Sequence, residues 1–115
     1  MFRFEKLDIW KRSIDLLDNL FDVSEELDKR HHYKFAEQLR SASLSICNNI
    51  AEGSGSKSKQ EFKQFLNFAH RSLFETANMI IIVHRRKFID EKRKIEFLDE
   101  LEQISKMIFS LISKL

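Results

Sequence analysis

The chain has 115 residues, no proline, two glycines, one cysteine and a net charge of only +2. That length fits one domain, and so few breakers point to an all-helical fold. With 43% hydrophobic and 33% charged residues the chain is too apolar for disorder, and its small net charge is no global signature of a nucleic-acid binder.

The first helix is expected from about Asp8 to Lys29. Trp10, Ile14, Leu17, Leu20, Phe21 and Leu27 follow the three-four spacing of one helical face. The charged stretch from Asp28 to Lys34 makes the turn. The second helix follows from Tyr33 to Gly53, with Phe35, Leu39, Ala42, Ile46 and Ile50 facing inward. Gly53 is expected to supply a left-handed stop. Ser58 and Glu61 form a capping-box pattern that starts the third helix. Phe62, Leu66, Ala69, Leu73, Ala77 and Ile80 carry its stripe towards Arg86, with Phe65 and Phe68 beside it. Asp90 is a good N-cap for the fourth helix, whose face holds Ile95, Leu98, Leu101, Ile104, Ile108, Leu111 and Leu115. Short links make successive helices antiparallel neighbours, which predicts an up-down-up-down four-helix bundle spanning residues 1–115. The first and third loops then share one pole. The Gly-Ser loop and both termini share the other.

The opening MFRFEKLD lacks the apolar run of a signal peptide. The longest apolar run, Met79 to Val83, is too short to cross a bilayer. A lone thiol, Cys47, allows no intrachain disulfide and points to a reducing compartment, so a cytoplasmic protein with no membrane partner is expected.

One stretch is unusual. Gln38, Ser41, Ser45, Asn48 and Glu52 form a mostly uncharged polar stripe on the second helix. Gln60, Gln64, Asn67, Arg71, Glu75 and Asn78 repeat it on the third. Solvent faces usually carry lysine and glutamate, so these stripes point to specific contacts with each other or with another subunit. The simpler reading is a close helix contact in which small polar side chains are satisfied locally. Glu52 opposes the helix dipole at its C-terminal position and asks for a partner, such as an amide of the next helix, Arg40 or Arg71.

QLRSASLSICNNIAEGSG, followed by SKQEFKQFLNFAHRSLFE, resembles the four-helix-bundle family named for genes inside intervening sequences of bacterial 23S rRNA. The opening FEKLDIWKRSIDL is similar too. The family's Ser-Ile-x-x-Asn-Ile-Ala-Glu-Gly core matches Ser45, Ile46, Asn49, Ile50, Ala51, Glu52 and Gly53. Its Phe-x-x-Phe-Leu run matches Phe62, Phe65 and Leu66, and its Ala-x-x-Ser-x-x-Glu segment matches Ala69, Ser72 and Glu75. The resemblance implies antiparallel bundles assembled as rings of five. Its relatives include accessory proteins of diversity-generating retroelements, basic pentamers that engage a reverse transcriptase and nucleic acid. Cys47 departs from the family, which commonly has proline or a small residue there. Arg71 departs where the family often has glycine. The resemblance gives Ser45, Asn49, Glu52, Gly53, Arg71, Ser72 and Glu75 a structural or interface role and no catalytic one.

The most basic region reads HRRKFIDEKRK from His84. Arg85, Arg86, Lys87, Lys92, Arg93 and Lys94 give six positive charges and Asp90 and Glu91 two negative, leaving +4 with histidine neutral. Lys29, Arg30 and Lys34, with His31 and His32, are expected at the same pole, where Glu25, Glu26 and Asp28 balance them. Such a pole could bind phosphates, and repetition around a ring would add weak contacts together. Basic residues there also serve simply to close the third helix. Tyr33 and Phe88 could stack bases.

Little else points to chemistry. No metal-ligand spacing occurs, the bundle di-metal Glu-x-x-His pattern is missing, and Gly53 and Gly55 lack the rest of any phosphate loop. His70 has no nucleophile beside it in sequence, and Cys47 reads as a small buried residue. The expectation is a homo-oligomeric scaffold, a ring of five, with no enzymatic activity, cofactor or metal. It would bind RNA or DNA through the basic pole, or else a protein such as a reverse transcriptase or a ribonucleoprotein.

Overall fold

A computed structural model describes residues 1–115. Four helices, α1 (Asp8–Lys29), α2 (Tyr33–Ser54), α3 (Lys59–Arg85) and α4 (Glu91–Lys114), form an antiparallel four-helix bundle of about 44 × 21 × 21 Å. A short 3-10 turn, Arg3–Lys6, precedes α1 and was not expected. Its Arg3 guanidinium lies over the Phe62 ring and donates to the Ser54 carbonyl at 3.1 Å, satisfying an orphan acceptor at the end of α2.

The core runs the length of the bundle through Leu20, Leu27, Leu39, Ile46, Ile50, Leu66, Ile80, Leu101, Ile104 and Ile108. On α1 the buried stripe is Ile9, Ser13, Leu16, Leu20, Val23, Ser24 and Leu27. Trp10, Ile14, Leu17 and Phe21 are only half-buried. The expected register was therefore rotated, because two serines occupy core positions. Ser13 and Ser24 are tolerated there by donating to the Ile9 and Leu20 carbonyls at 2.6 and 3.0 Å. On α4 Phe97 is buried and Ile95 is 47% exposed, which corrects the expectation that Ile95 faced the core.

The tightest pair is α2 against α3. Small residues set that distance: Ala36, Ala42 and Gly53 on α2 and Ala69 on α3 are buried. A Cβ on Gly53 would stand 2.7 Å from Phe65 Cβ and 3.0 Å from Phe62 Cδ1. Gly53 is thus a close-approach residue and not a left-handed stop: no glycine has positive φ, and α2 continues through Ser54. The α1–α4 seam is looser and is clasped by Arg12, whose Nε donates to Glu100 at 3.0 Å. That hydrogen bond raises the pKa of Arg12. Both partners are partly exposed, so the clasp contributes at most about 1 kcal/mol.

Ser58 accepts from the Glu61 amide at 3.1 Å, and Asp90 from the Arg93 amide at 2.8 Å. Both expected N-caps form. The return bond from the Glu61 carboxylate does not, so only half of the capping box is made.

Candidate nucleic-acid interface

The α1–α2 and α3–α4 loops meet at one pole. Their contact is a stack of His32 on Phe88, with centroids 4.1 Å apart. Arg30 lies over the same Phe88 ring, and Phe35 meets it edge-on at 5.7 Å. Phe88 is therefore a packing residue between loops, covered by its neighbours, and not an open stacking surface.

Both helices entering these loops end in the same way. After α1 the His32 amide donates to Leu27 O at 2.8 Å, and the His31 amide to Asp28 O at 3.0 Å. After α3 the Phe88 amide donates to Val83 O at 2.8 Å, and the Lys87 amide to His84 O at 2.9 Å. These are paired Schellman caps, which need one left-handed residue each. Glycine usually fills that place. Here His31 (φ 65°) and Lys87 (φ 64°) fill it, at a cost of about 1–2 kcal/mol each. The strain sets an imidazole and an ammonium at the rim where glycine would offer neither.

Charge at the pole is sorted by structure. Glu26 accepts from Arg93 at 3.0 Å and Asp28 from Arg40 at 2.8 Å. The bond to Asp28 is the main cause of the raised Arg40 pKa. Glu91 takes Lys94 at 3.0 Å and His84 at 2.8 Å. Its carboxyl is held below its ordinary value chiefly by the Lys94 hydrogen bond, with His84 adding to it. Asp90 caps α4. The nearby acids are thus largely engaged with Arg93, Lys94, Arg40, His84 and the backbone. Lys29, Arg30, Lys34, Arg85, Arg86, Lys87 and Lys92 are all exposed and have no carboxylate partner. Of the nine basic residues expected at this pole, Arg93 and Lys94 are structural ties and seven are available to a ligand.

The charge is also asymmetric along the chain. Residues 8–28 carry seven acids and two bases, and residues 29–89 carry four acids and eleven bases. The net +2 hides this division, in which α1 repels an anion and the loops and the α2–α3 hairpin attract one.

The polar stripes separate into two groups. Ser72 Oγ donates to Ser45 Oγ at 2.8 Å across the α2–α3 contact. Asn49 Nδ2 donates to the Ser45 carbonyl at 2.8 Å and to Ser45 Oγ at 3.1 Å. These three make a hydrogen-bonded tie between helices. Glu52 and Glu75 are exposed and make no hydrogen bond or ion pair, so Glu52 does not find the partner expected for it. Arg71 is exposed as well, its guanidinium 5.9 Å from the centre of the Phe68 ring. With Asn48, Gln64, Asn67 and Asn78, also exposed, they line the outside of the α2–α3 pair and do not meet one another.

The profile of the 23S rRNA-intervening sequence proteins matches residues 5–110. The chain belongs to that family. Among solved structures, this intervening-sequence protein is similar to a protein of unknown function from the S23 ribosomal protein family of Bacteroides thetaiotaomicron. The two are 20% identical, with a TM-score of 0.86, over 90% of this chain and 97% of the other. At that identity the likeness concerns the fold. No curated protein matches the chain.

Elsewhere in this intervening-sequence protein, α3 and α4 enclose a groove of about 440 Å³ lined by Leu73, Phe74, Ala77, Ile81, Leu98 and Leu101. Phe74 in its lining is 64% exposed, and Phe109 on α4 is 52% exposed. Between those two rings lies His70, its Nε2 2.8 Å from Ser105 Oγ. Sequence reasoning missed this pair, since 35 positions separate its members. Burial lowers the His70 pKa, and no carboxylate bonds its Nδ1. Cys47 is buried, as expected, and burial pushes its thiol up to about 12, far from a reactive thiolate. Nowhere do three histidine, cysteine or acidic side chains converge to hold a metal ion. No helix is long and apolar enough to cross a membrane.

Proposed function

We propose that this intervening-sequence protein is a non-enzymatic, cytoplasmic scaffold that self-associates and holds nucleic acid by its phosphate backbone at the cationic pole. One observation carries this reading: Glu26, Asp28, Asp90 and Glu91 are held in structural contacts, leaving Glu25 as the free acid near the first loop, while seven exposed cations beside them have no carboxylate partner. A solvated helix end would gain nothing from that sorting, whereas phosphate contacts need unpaired cations in one place. The buried, unreactive Cys47 fits a reducing compartment.

Self-association is supported by the exposed α3–α4 groove, because a small bundle rarely leaves contiguous aromatic surface in water without use. A ring of five is the assembly the family resemblance implies, and it would repeat the pole around a rim and multiply weak contacts. The same groove favours the second reading, a purely protein-binding ring that engages a nucleic-acid-processing partner.

Native mass spectrometry at low salt would test the assembly, where a ring of five gives five times 13.8 kDa. Anisotropy titrations of labelled oligonucleotides over a range of salt would test the pole. Replacing Arg30, Lys34, Arg86 and Lys87 by glutamine, with Arg93 kept in its tie to Glu26, should weaken binding and flatten its salt dependence. Unchanged binding in that variant would leave the protein-binding ring.

A further inference from the structure

The pole holds one aromatic ring that the fold does not use. Tyr33 is the first residue of α2 and is 57% exposed. It is absent from the apolar cluster that takes in Phe35 and Phe88. Its one aromatic neighbour is His31, edge-on at 5.6 Å and 71°, with Nδ1 2.5 Å from the tyrosine hydroxyl. That contact engages the hydroxyl and one edge of the ring. The contact depends on His31 taking the left-handed conformation that glycine would adopt more cheaply. Exposed Lys29, Arg30 and Lys34 flank the ring in sequence.

An aromatic face among unpaired cations suits a strand whose bases are open. Phosphates meet the cations, and a base lies on the ring, which accepts any base because each has a π-face. In a duplex the bases are already stacked on their neighbours and would have to be pulled out first. We propose that the pole takes single-stranded nucleic acid, with an unpaired base stacked on Tyr33. This rests on the phosphate-binding reading above and adds the strand type and the residue that selects it.

The test compares wild type with Tyr33→Ala and Tyr33→Phe. Probes are labelled oligo-dT and oligo-U of about 15 nucleotides and a DNA duplex of the same length. Circular dichroism confirms that each variant is folded, which an exposed position favours. Tyr33→Ala should weaken binding of both single strands about ten-fold. Tyr33→Phe should keep most of the affinity, and the duplex should bind all three proteins equally. Comparing oligo-U with oligo-dT separates RNA from DNA. Equal single-strand binding by wild type and Tyr33→Ala overturns the proposal, as does an equal loss on the duplex. If Tyr33→Ala changes nothing while the four-glutamine variant loses binding, the phosphate reading stands and the stacking proposal falls. If wild type binds no probe at low salt, both fall.

Discussion

Replacing Lys87 by glycine should make the protein more stable and a poorer ligand binder at once. Lys87 is the left-handed residue of the α3 cap, at φ 64°. Removing its Cβ relieves about 1–2 kcal/mol of backbone strain. Glycine returns about 0.5–1 kcal/mol of that through its freer unfolded chain. The net gain is about 0.5–1 kcal/mol, or ~2–4 °C in Tm for a chain of this size. The lysine also lacks a carboxylate partner, so no ion pair is lost. In binding, loss of one phosphate contact should lower the slope of log K against log salt by about 0.7 on a single strand. Thermal melts and anisotropy at several salt concentrations read both effects. Lys87→Ala is the control, because it loses the same charge while keeping the strain, so it should bind weakly without the gain in Tm. A drop in Tm for Lys87→Gly would refute the strain argument. An unchanged salt slope in both variants would remove Lys87 from the interface.

The two glycines should respond oppositely to alanine. Gly53→Ala forces a Cβ against Phe65 and Phe62 and should cost about 1–3 kcal/mol in urea melts. Gly55→Ala meets only the Glu52 carbonyl at 3.5 Å in a right-handed conformation and should be neutral or gain about 0.4–1 kcal/mol. Ser72→Ala removes the tie to Ser45 and should cost about 1 kcal/mol, whereas Glu75→Ala, on an exposed carboxylate without a partner, should stay within about 0.5 kcal/mol. The lowered His70 pKa means that the unfolded chain takes the proton first. Its stability contribution is therefore full above the ordinary value of 6.5 and is lost as pH falls through the shifted one. His70→Gln should flatten that part of the decline in Tm between about pH 7 and 5. Phe74→Ser with Phe109→Ser should leave the fold intact, since both are exposed, and reduce the oligomer mass seen by native mass spectrometry. An unchanged mass would move the interface off the α3–α4 groove.

The fold was legible because each helix carries an apolar period and the last two carry a capped start. Asp90 and Ser58 acted as the sequence implied, and the absence of proline left few other options. The α1 register was not legible, since Ser13 and Ser24 look like solvent residues and are hidden only because their hydroxyls turn back on their own helix. Left-handed caps were sought at glycine and occur instead at His31 and Lys87. A sequence signal for them did exist: Leu27 with His32 and Val83 with Phe88 are spaced as the apolar contact of that motif requires. The composition of the pole could be read, but its sorting could not. Arg93 and Glu26 are 67 positions apart, and nothing local distinguishes a tied arginine from an available one. The motif pointed to Ser45, Asn49, Ser72, Glu52 and Glu75 together, but the first three alone join in hydrogen bonds, while Glu52 and Glu75 face outward for reasons no single helix encodes.

The ends of the chain bear on how the molecule can be handled. Leu7 and Lys114 line one small groove, and Arg3 reaches Ser54 beside the Gly-Ser loop, so both ends leave the bundle at the same extremity. The cationic loops lie at the other, along a body about 44 Å long. A tether on either end therefore holds the protein like a stalk, with its charged tip turned outward. Immobilised through the N- or the C-terminus alike, it should present the same tip to a passing strand.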